Sequence, residues 1–298
     1  MSELPLSVEQ MAEIIEKDPR YKVIRRFDPP ESYGLPDGPV RRALLLDVET
    51  TGLDPLSVDI IEFGAVLFEY SPDTGAIYAV LDEYGALNDP GQPIPAEVTE
   101  LTGITDEMVK GKAYDASRIE GLLSGADLVL AHNAKYDRQV MERFFPIAAE
   151  KPWGCTCSQV PWVQLGFGSA KLDYLLYRSG FFTDSHRAVN DCHAAVFLLT
   201  RQVNDRPIMS ILLEEARKAT VKTWAVGAPF DAKDLLKERG YRWSGGENGK
   251  PKAWWRDVPE DESAQELAWL AESVYPGGVT ESVVMEQITA RNRFSRRV

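Results

Sequence analysis

The pattern of apolar and polar positions between residues 41 and 205 predicts several strands followed by alternating helices and strands. Residues 43–48 form a short apolar run with the length of a buried strand. Strands are also predicted at residues 60–69 and 75–82, and the turn-forming residues between these two runs indicate a hairpin. A fourth strand is predicted at residues 127–131.

Helical spacing of apolar positions appears mainly in the second half of this region. It predicts helices at residues 135–145, 169–179 and 190–203, and shorter helical stretches at residues 96–101 and 105–109. Three strands joined by tight turns, followed by helix–strand–helix alternation, predict an α/β domain with a mixed sheet.

Changes in composition along the chain predict four segments. Proline and glycine are frequent in residues 28–39, which indicates a linker after a helix at residues 8–17. After Pro207 the character of the sequence changes again. The predicted segments are an N-terminal helix and linker (1–40), the α/β domain (41–205), a small basic, Trp-rich α+β module (208–260), and a C-terminal helix with a basic tail (261–298).

Within the small module, the sequence predicts two helices, a loop and a hairpin. The helices are placed at residues 211–219 and 231–239, and the loop at residues 224–229. The hairpin joins residues 241–243 to residues 253–256 across a glycine-containing turn.

Length and composition favour a soluble cytoplasmic protein. The chain has 298 residues, of which 44% are hydrophobic, so it can bury a full core. No apolar run reaches the roughly 18 residues of a membrane span, and the first twenty residues lack the layout of a secretion signal. Three cysteines argue against a disulfide framework, and Cys155 and Cys157 lack the further paired ligands that a zinc site needs.

The net charge of −13 is unfavourable for a protein that binds nucleic acid, but the charge is unevenly distributed. Residues 217–256 hold ten Lys and Arg against four Asp and Glu, together with several aromatic residues. Bases stack on aromatic rings and phosphates pair with cations, so this module is a candidate nucleic-acid platform. The alternative is that the tryptophans form the core of a very small domain, which we favour for Trp243 and Trp254.

The most informative local sequence follows the first predicted strand, where Asp47 and Glu49 are two residues apart. Side chains at that spacing share one face of a strand. Two carboxylates on one face repel each other unless a cation joins them, and hard oxygen ligands suit magnesium or manganese. The alternative is a solvated strand end before a turn at Thr50–Gly52, whose backbone N–H groups are suited to a phosphate.

Two more acidic positions lie at predicted helix starts. Asp137 follows His132 and Asn133 at the start of one helix, with Asn133 a candidate N-cap. Asp191 begins the last helix of the domain, five residues after His186. Taken singly, each position fits an ordinary helix start or loop histidine, and His132 fits a buried structural histidine. Histidine is nevertheless the side chain best suited to accept a proton near neutral pH.

Together, these three motifs resemble the DEDDh 3′→5′ exonucleases of the DnaQ-like superfamily. That group includes polymerase III epsilon-type proofreading subunits, exonuclease X, ribonuclease T and oligoribonuclease. The matching residues are Asp47-x-Glu49-Thr50-Thr51-Gly52, then Asn133 and Asp137, then His186 and Asp191, with weaker matches at 61–66, 101–108 and 171–175. Arg187 stands where the tyrosine subclass has its tyrosine, so the resemblance is to the histidine subclass. It covers residues 41–204.

The resemblance implies a ribonuclease-H-like fold with a mixed five-stranded sheet flanked by helices. It implies two divalent cations, Mg²⁺ or Mn²⁺, about 3.5–4 Å apart, with His186 accepting a proton from the attacking water. The implied catalytic residues are Asp47, Glu49, Asp137, His186 and Asp191, of which the four acids are the metal ligands. The implied substrate-binding residues are Thr50, Thr51, Gly52, Leu53, Glu62, Phe63 and Asn133.

The resemblance leaves substrate and partners open. We expect a DNA exonuclease of proofreading or repair type that acts on 3′ ends, with single-stranded DNA favoured. An RNA exonuclease of the ribonuclease T or oligoribonuclease type is the alternative. A catalytically silent adaptor that binds a polymerase or nucleic acid is an alternative of another class, which the filled catalytic positions argue against. A DNA polymerase or another replication or repair protein is a candidate partner, and no membrane association is expected.

Overall fold

The structure is a computed structural model that describes residues 6–184, 187–275, 278 and 282–298. These residues form ten α-helices: α1 Val8–Glu16, α2 Ala96–Thr102, α3 Asp106–Val109, α4 Ala116–Gly125, α5 Ala134–Phe144, α6 Leu172–Arg178, α7 Ala188–Thr200, α8 Ile208–Arg217, α9 Lys233–Glu238 and α10 Ser263–Ser273. None of these helices is long and apolar enough to span a bilayer.

The same residues form thirteen strands, several of them only two or three residues long. The strands are β1 Arg25–Arg26, β2 Arg41–Thr50, β3 Ile60–Tyr70, β4 Ile77–Leu87, β5 Leu128–Ala131, β6 Trp153–Cys155, β7 Phe181–Phe182, β8 Gln202–Val203, β9 Arg206–Pro207, β10 Thr220–Val226, β11 Arg242–Trp243, β12 Ala253–Pro259 and β13 Val283–Ile288.

The larger sheet has five strands in the order β4-β3-β2-β5-β6. Strands β2, β3 and β4 pair antiparallel, whereas β5 and β6 run parallel to β2. The predicted α/β fold with a mixed five-stranded sheet is therefore confirmed. The pattern of apolar positions did not predict α4 or the three-residue strand β6. The strand β6 is too short to show a period.

Side chains of β2 alternate between two apolar cores on opposite faces of the sheet. The even-numbered apolar residues of the strand pack with residues of α4 and α5, and the odd-numbered ones pack with residues of α7 and α8. This alternation follows from the two-residue period of a strand. Asp47 and Glu49 continue the odd-numbered series, so they lie on the face that α7 covers.

A second, antiparallel sheet follows the first, with strands in the order β11-β12-β10-β13. Its central strand, β10, pairs with β12 on one side and with β13 on the other. The loop predicted at residues 224–229 is therefore wrong for residues 224–226, which end β10. Gly227 and Pro229 are strong loop signals, and because of them the predicted loop begins too early in the sequence. The expected C-terminal helix and tail also contains a strand, β13.

The small apolar core beside this sheet includes Leu236, Tyr241 and Leu270, and Trp254 packs against it. The prediction that Trp254 serves the core is confirmed. For Trp243 it is wrong, because this residue is 53% exposed. A two-residue strand at the sheet edge leaves one face of that indole in solvent.

The C-terminal segment returns to the first domain and is fastened to α5. The guanidinium of Arg138, a fully buried side chain, donates hydrogen bonds to the carbonyl oxygens of Arg291 (2.6 Å) and Arg293 (2.8 Å). The Trp153 backbone N–H donates to the carbonyl oxygen of Ala290 (2.7 Å). These bonds hold residues 290–295 beside the helix that carries Asp137.

Candidate active site

Three of the predicted acidic residues meet at the end of β2. Asp47 and Glu49 come from the strand itself, and Asp191 comes from the first turn of α7. One carboxylate oxygen from each of the three lies within 4.8 Å of the others, and all three side chains are partly buried. Glu49 and Asp191, which are 142 positions apart in the sequence, thus belong to one cluster of hard oxygen donors.

Helix α7 reaches this position because glycine occupies two paired positions of the sheet beneath it. Gly64 of β3 pairs with Gly85 of β4. A Cβ atom on Gly64 would lie 2.3 Å from the carbonyl carbon of Ala188, and one on Gly85 would lie 2.6 Å from Cγ2 of Val189. Any larger residue at these positions would push the start of α7 away from the strand end.

Glu62 of β3 holds the same helix start by a hydrogen bond. Its Oε2 accepts from the backbone N–H of Ala188 at 3.2 Å. The first N–H groups of a helix have no partner within the helix, so a carboxylate is a favourable acceptor there. The sequence resemblance placed Glu62 among substrate-binding residues, whereas the structure shows it contacting the helix that carries Asp191.

Asp137 approaches the cluster from the other side of β2, from the first turn of α5. The residue is only 2% exposed, and its Oδ1 accepts a hydrogen bond from the Val48 backbone N–H at 3.3 Å. Its oxygens are not among those that lie within 4.8 Å of one another. Asp137 is nevertheless the neighbour that repels the Asp47 carboxylate most strongly.

Burial and mutual repulsion raise the pKa values of these acids. The pKa of Asp47 lies well above its ordinary value, chiefly because the group is buried, with repulsion from Asp137 and then Asp191 adding to the shift. Burial raises the pKa of Asp137 to about 7. A cation between the carboxylates would offset both effects, since it neutralises charge without requiring a proton. The donor set therefore fits divalent cations such as Mg²⁺ or Mn²⁺.

The turn after β2 is fixed by its own hydroxyl groups and by a tyrosine from α5. Thr50 Oγ1 donates to the Gly52 carbonyl oxygen at 2.9 Å, and Thr51 Oγ1 accepts from the Asp59 backbone N–H at 2.9 Å. The Tyr136 hydroxyl donates to the same Gly52 carbonyl at 2.6 Å and also contacts Thr50 Oγ1. Tyr136 directly precedes Asp137 in the sequence, and this position gave no sign of the contact.

Of the other predicted site residues, Leu53, Asn133 and Phe63 lie within the described part of the chain. Leu53 is 89% exposed at the tip of the turn. Asn133 occupies the N-cap position of α5 and is exposed, but its side chain makes no capping hydrogen bond. Phe63 is fully buried in the apolar core beside Tyr84, so the structure does not bring it to the site. His186, the predicted proton acceptor, lies outside the described residues.

His132 has a structural position, as its sequence context had suggested. Its Nε2 hydrogen-bonds to the Ala170 carbonyl oxygen at 2.8 Å, and its Nδ1 to the Thr156 hydroxyl at 2.7 Å. Because a carbonyl oxygen only accepts, Nε2 carries a proton and donates. Burial lowers the pKa of the imidazole. Both ring nitrogens are engaged within the fold, so His132 is unsuited to proton transfer with a substrate.

Arg187 is a residue at the site whose position the sequence did not predict. It precedes α7. Burial raises the pKa of the nearby Glu62 carboxyl, and the positive charge of Arg187 partly offsets that rise. Its Nη1 atom is buried and has no hydrogen-bond partner within the described parts of the chain. The only signal in the sequence was its position next to His186 in the third motif.

Comparison with known sequences identifies the same region of the chain. A family model described as Exonuclease, RNase_T, matches residues 44–199, just over half of the chain. The match contains the strand end with Asp47, the start of α5 and the start of α7.

Curated relatives match over this region as well. The chain is 30% identical over 172 residues to the DNA polymerase III PolC-type of Listeria monocytogenes and 32% identical over 164 residues to that of Thermotoga maritima. These matches cover 54% and 52% of this chain. The chain spans only 11% of the length of each of these relatives.

Among solved structures, E. coli exonuclease I in complex with an oligonucleotide aligns with a TM-score of 0.50 and 16% identity, covering 74% of this chain and 63% of the other. At this identity the likeness concerns the fold, and it agrees with the mixed sheet flanked by helices. The family match supplies the relationship itself. The chain therefore belongs to the RNase_T exonuclease family, with a DnaQ-like exonuclease domain homologous to that of PolC.

Proposed function

We propose that the protein is a metal-dependent 3′→5′ exonuclease that hydrolyses the terminal phosphodiester bond of DNA and releases nucleoside 5′-monophosphates. The observation that carries the proposal is the convergence of Asp47, Glu49 and Asp191 within 4.8 Å, with Asp137 beside them. Such a dense set of buried or partly buried carboxylates is costly unless cations bind between them.

The four acids divide into two groups in this proposal. Asp47, Glu49 and Asp191 hold the cations directly, and Asp137 completes the set while its bond to the Val48 N–H keeps its carboxylate oriented. Cations held there supply charge neutralisation for the scissile phosphate and a lowered pKa for an attacking water. The protein contributes a fixed array of ligands on one strand and two helices, so little reorganisation is needed when substrate binds.

Proton transfer is proposed for His186 on the grounds of sequence alone. It precedes Asp191 by five residues, which is its spacing in the histidine subclass. A neutral imidazole near the attacking water would accept its proton at neutral pH. His132 and His193 are unsuited to this role, since His132 is held by two hydrogen bonds and His193 Nε2 contacts Glu83 at 2.7 Å.

We propose that the turn formed by Thr50, Thr51, Gly52 and Leu53 holds the terminal nucleotide, together with Asn133. The exposed side chain of Leu53 offers an apolar surface for a base, and the backbone of the turn is held rigid by Tyr136. Asn133 is exposed at the N-cap of α5, and its side-chain amide is proposed to add a further contact to the nucleotide. Glu62 is proposed to act indirectly, by fixing the start of α7.

DNA is favoured over RNA because of the relatives. The matched proteins are DNA polymerases of the PolC type, and the exonuclease I structure contains an oligonucleotide. A proofreading or repair role, with a DNA polymerase or another replication protein as partner, is proposed on the same grounds. The chain spans only 11% of the length of this relative, so polymerase activity is not proposed for it.

The test is a cleavage assay on single-stranded DNA labelled at either end, in the presence of Mg²⁺, Mn²⁺ or chelator. We expect a 5′-labelled strand to shorten stepwise and a 3′-labelled strand to release labelled mononucleotide at once. Glu49→Gln should lower the cleavage rate more than about a hundredfold. Loss of a direct metal ligand lowers activity more than loss of a residue that only hydrogen-bonds to a ligand. His186→Ala should slow cleavage while leaving metal binding largely intact.

The matched control is Glu120→Gln, which removes the same charge from an exposed position on α4. It should cleave at the rate of the unmodified protein. A matched RNA strand in parallel reactions decides the substrate, and faster cleavage of RNA would contradict the choice of DNA. Absence of cleavage of either strand with both metals, in a folded sample, would contradict the proposal as a whole.

A further inference from the structure

A groove of about 890 Å³ runs between the exonuclease domain and the second sheet. One wall comes from α5 and the turn after β2, the other from strands β10, β11 and β12, and the C-terminal segment lies along it. Its lining residues include Asn133, Lys135, Tyr136, Lys222, Trp255 and Arg296.

The groove is positively charged in a protein whose net charge is −13. Six lysines and arginines line it, and only two acids do, Asp54 and Asp257. Burial lowers the pKa of Lys250, and the nearby charges of Lys222, Lys135 and Arg296 lower it further, whereas Glu286 raises it. A groove with this excess of cations attracts anionic ligands.

Several of these cations are not neutralised by the protein. Within the described part of the chain, no ion pair includes Lys135, Lys222 or Arg296. Lys135 and Arg296 are also exposed. Arg293 differs from them, because it donates to the carbonyl oxygens of Ala216 and Lys218 and so serves the fold.

An aromatic surface lies among these charges. The Lys222 ammonium lies 4.9 Å from the centre of the Trp255 ring, and the Arg242 guanidinium lies 4.1 Å from it. Trp224 packs 5.9 Å away from Trp255 but is only 3% exposed, so it supports the partly buried Trp255 from below. Cations alternating with an accessible indole are the arrangement with which proteins bind the bases and phosphates of single strands.

The groove lies next to the turn that follows β2. Tyr136 forms part of its wall and donates a hydrogen bond to Gly52 in the turn proposed to hold the terminal nucleotide. Asn133 lines the groove four residues before Asp137 on the same helix start. A strand whose 3′ end reaches the carboxylates would therefore have its next nucleotides at the mouth of the groove.

From these observations we infer that the groove binds the single-stranded polynucleotide that lies 5′ of the terminal nucleotide. The inference rests on the proposed exonuclease function, and it assigns the second sheet and the C-terminal segment to substrate binding. Lys135 and Arg296 pair with backbone phosphates, Lys222 adds positive charge from its buried position against Trp255, and Trp255 stacks on a base.

The experiment compares two oligonucleotides in the Glu49→Gln background, where the substrate stays intact. One has about 4 nucleotides and fills only the terminal site, and the other has about 16 and reaches the whole groove. Binding is measured by fluorescence anisotropy over a series of salt concentrations. The test variant is Lys135→Gln/Arg296→Gln, and the control is Lys17→Gln/Lys112→Gln, which removes the same charge from exposed positions away from the groove.

We expect the test variant to lose roughly tenfold in affinity for the longer strand, with a shallower salt dependence, because two phosphate contacts are lost. Affinity for the shorter strand should be unchanged, and the control should bind both strands normally. Equal losses in the test and control variants, or an unchanged salt dependence, would overturn the inference. The inference would also be overturned if a poly-glutamate peptide displaced the labelled strand as effectively as unlabelled strand does. An acidic protein would then fit the groove as well as a polynucleotide.

Binding of DNA and RNA versions of the longer strand shows which of these two polynucleotides the groove prefers. Arg296→Gln alone serves as a second variant if the double variant unfolds, and it should weaken binding of the longer strand alone. Cleavage of the short strand by the protein with Glu49 intact separates this inference from the proposed function. If the short strand is cleaved normally while the groove variants bind normally, only the groove is disproved.

Discussion

At the scale of single residues, the site is defined by acids that carry raised pKa values. Burial and repulsion hold the pKa of Asp47 well above its ordinary value, and burial brings that of Asp137 to about 7. The deprotonated groups are therefore a source of instability in the folded protein when no cation is bound. Metal binding and folding stability should be coupled through these residues.

This coupling predicts a pH-dependent stabilisation by metal. Because the folded pKa of Asp137 is raised from 3.8 to about 7, the metal-free protein loses stability as pH rises through that interval. The melting temperature with chelator should therefore fall between about pH 4 and about pH 7, and Mg²⁺ should restore several degrees at the upper end only. Differential scanning fluorimetry with Mg²⁺ or chelator at each pH measures the difference.

Asp137→Asn is the companion variant, since it removes the titrating group at similar volume. Its metal-free melting temperature should change less with pH over the same interval. A stabilisation by Mg²⁺ that is equally large at both ends of the pH range would show that these carboxyls do not carry protons in the metal-free protein.

Sequence predicted the acids of the site better than the surrounding residues. The spacing of Asp47 and Glu49 already implied a shared strand face, because strand periodicity is local. By contrast, Phe63 alternates onto the core face, and a strand pattern with apolar residues on both faces does not show which side is the site. The bonds from Tyr136 to the turn depend on how α5 packs, which has no local signature.

At the scale of elements, the site depends on how closely α7 approaches the sheet. Paired Gly64 and Gly85 let the start of the helix lie directly on β3 and β4, and Glu62 accepts its Ala188 N–H. Asp191 follows within the first turn of that helix. Gly64 was visible in the sequence as a glycine within a strand, which often marks close approach of another backbone, but its partner could not be identified before the fold was known.

Gly64→Ala is predicted to damage activity more than stability. The added methyl group would meet backbone atoms of Ala188 at 2.3 Å, so α7 must shift and carry Asp191 with it. Overpacking of this kind costs about 1–3 kcal/mol of folding free energy, whereas a displaced ligand should lower the cleavage rate at least about tenfold. Thermal unfolding and the single-strand cleavage assay measure the two effects.

Gly121→Ala is the matched control, because a Cβ atom at this helical position has nothing within 4 Å. It should leave activity unchanged and, if anything, stabilise α4 slightly. Full activity in Gly64→Ala would show that close packing of α7 is not what positions Asp191.

At the scale of the whole molecule, the protein separates its charges. Acidic groups gather at the end of β2, while basic residues line the groove beside them. The sequence indicated a basic, aromatic module but not the groove, because its second wall comes from α5 and its edge from residues 293–296. The strand β10 at its centre was obscured by the glycine and proline that follow it.

The central claim is that carboxylates distant in sequence form one binding centre for divalent cations. Isothermal titration calorimetry of the unmodified protein, Asp191→Asn and Glu120→Gln with Mn²⁺ tests it most directly. We predict binding of about two ions to the unmodified protein and to Glu120→Gln, and a loss of affinity of more than about a hundredfold in Asp191→Asn. Equal affinity of all three proteins for Mn²⁺, or no binding by the unmodified protein, would contradict the claim.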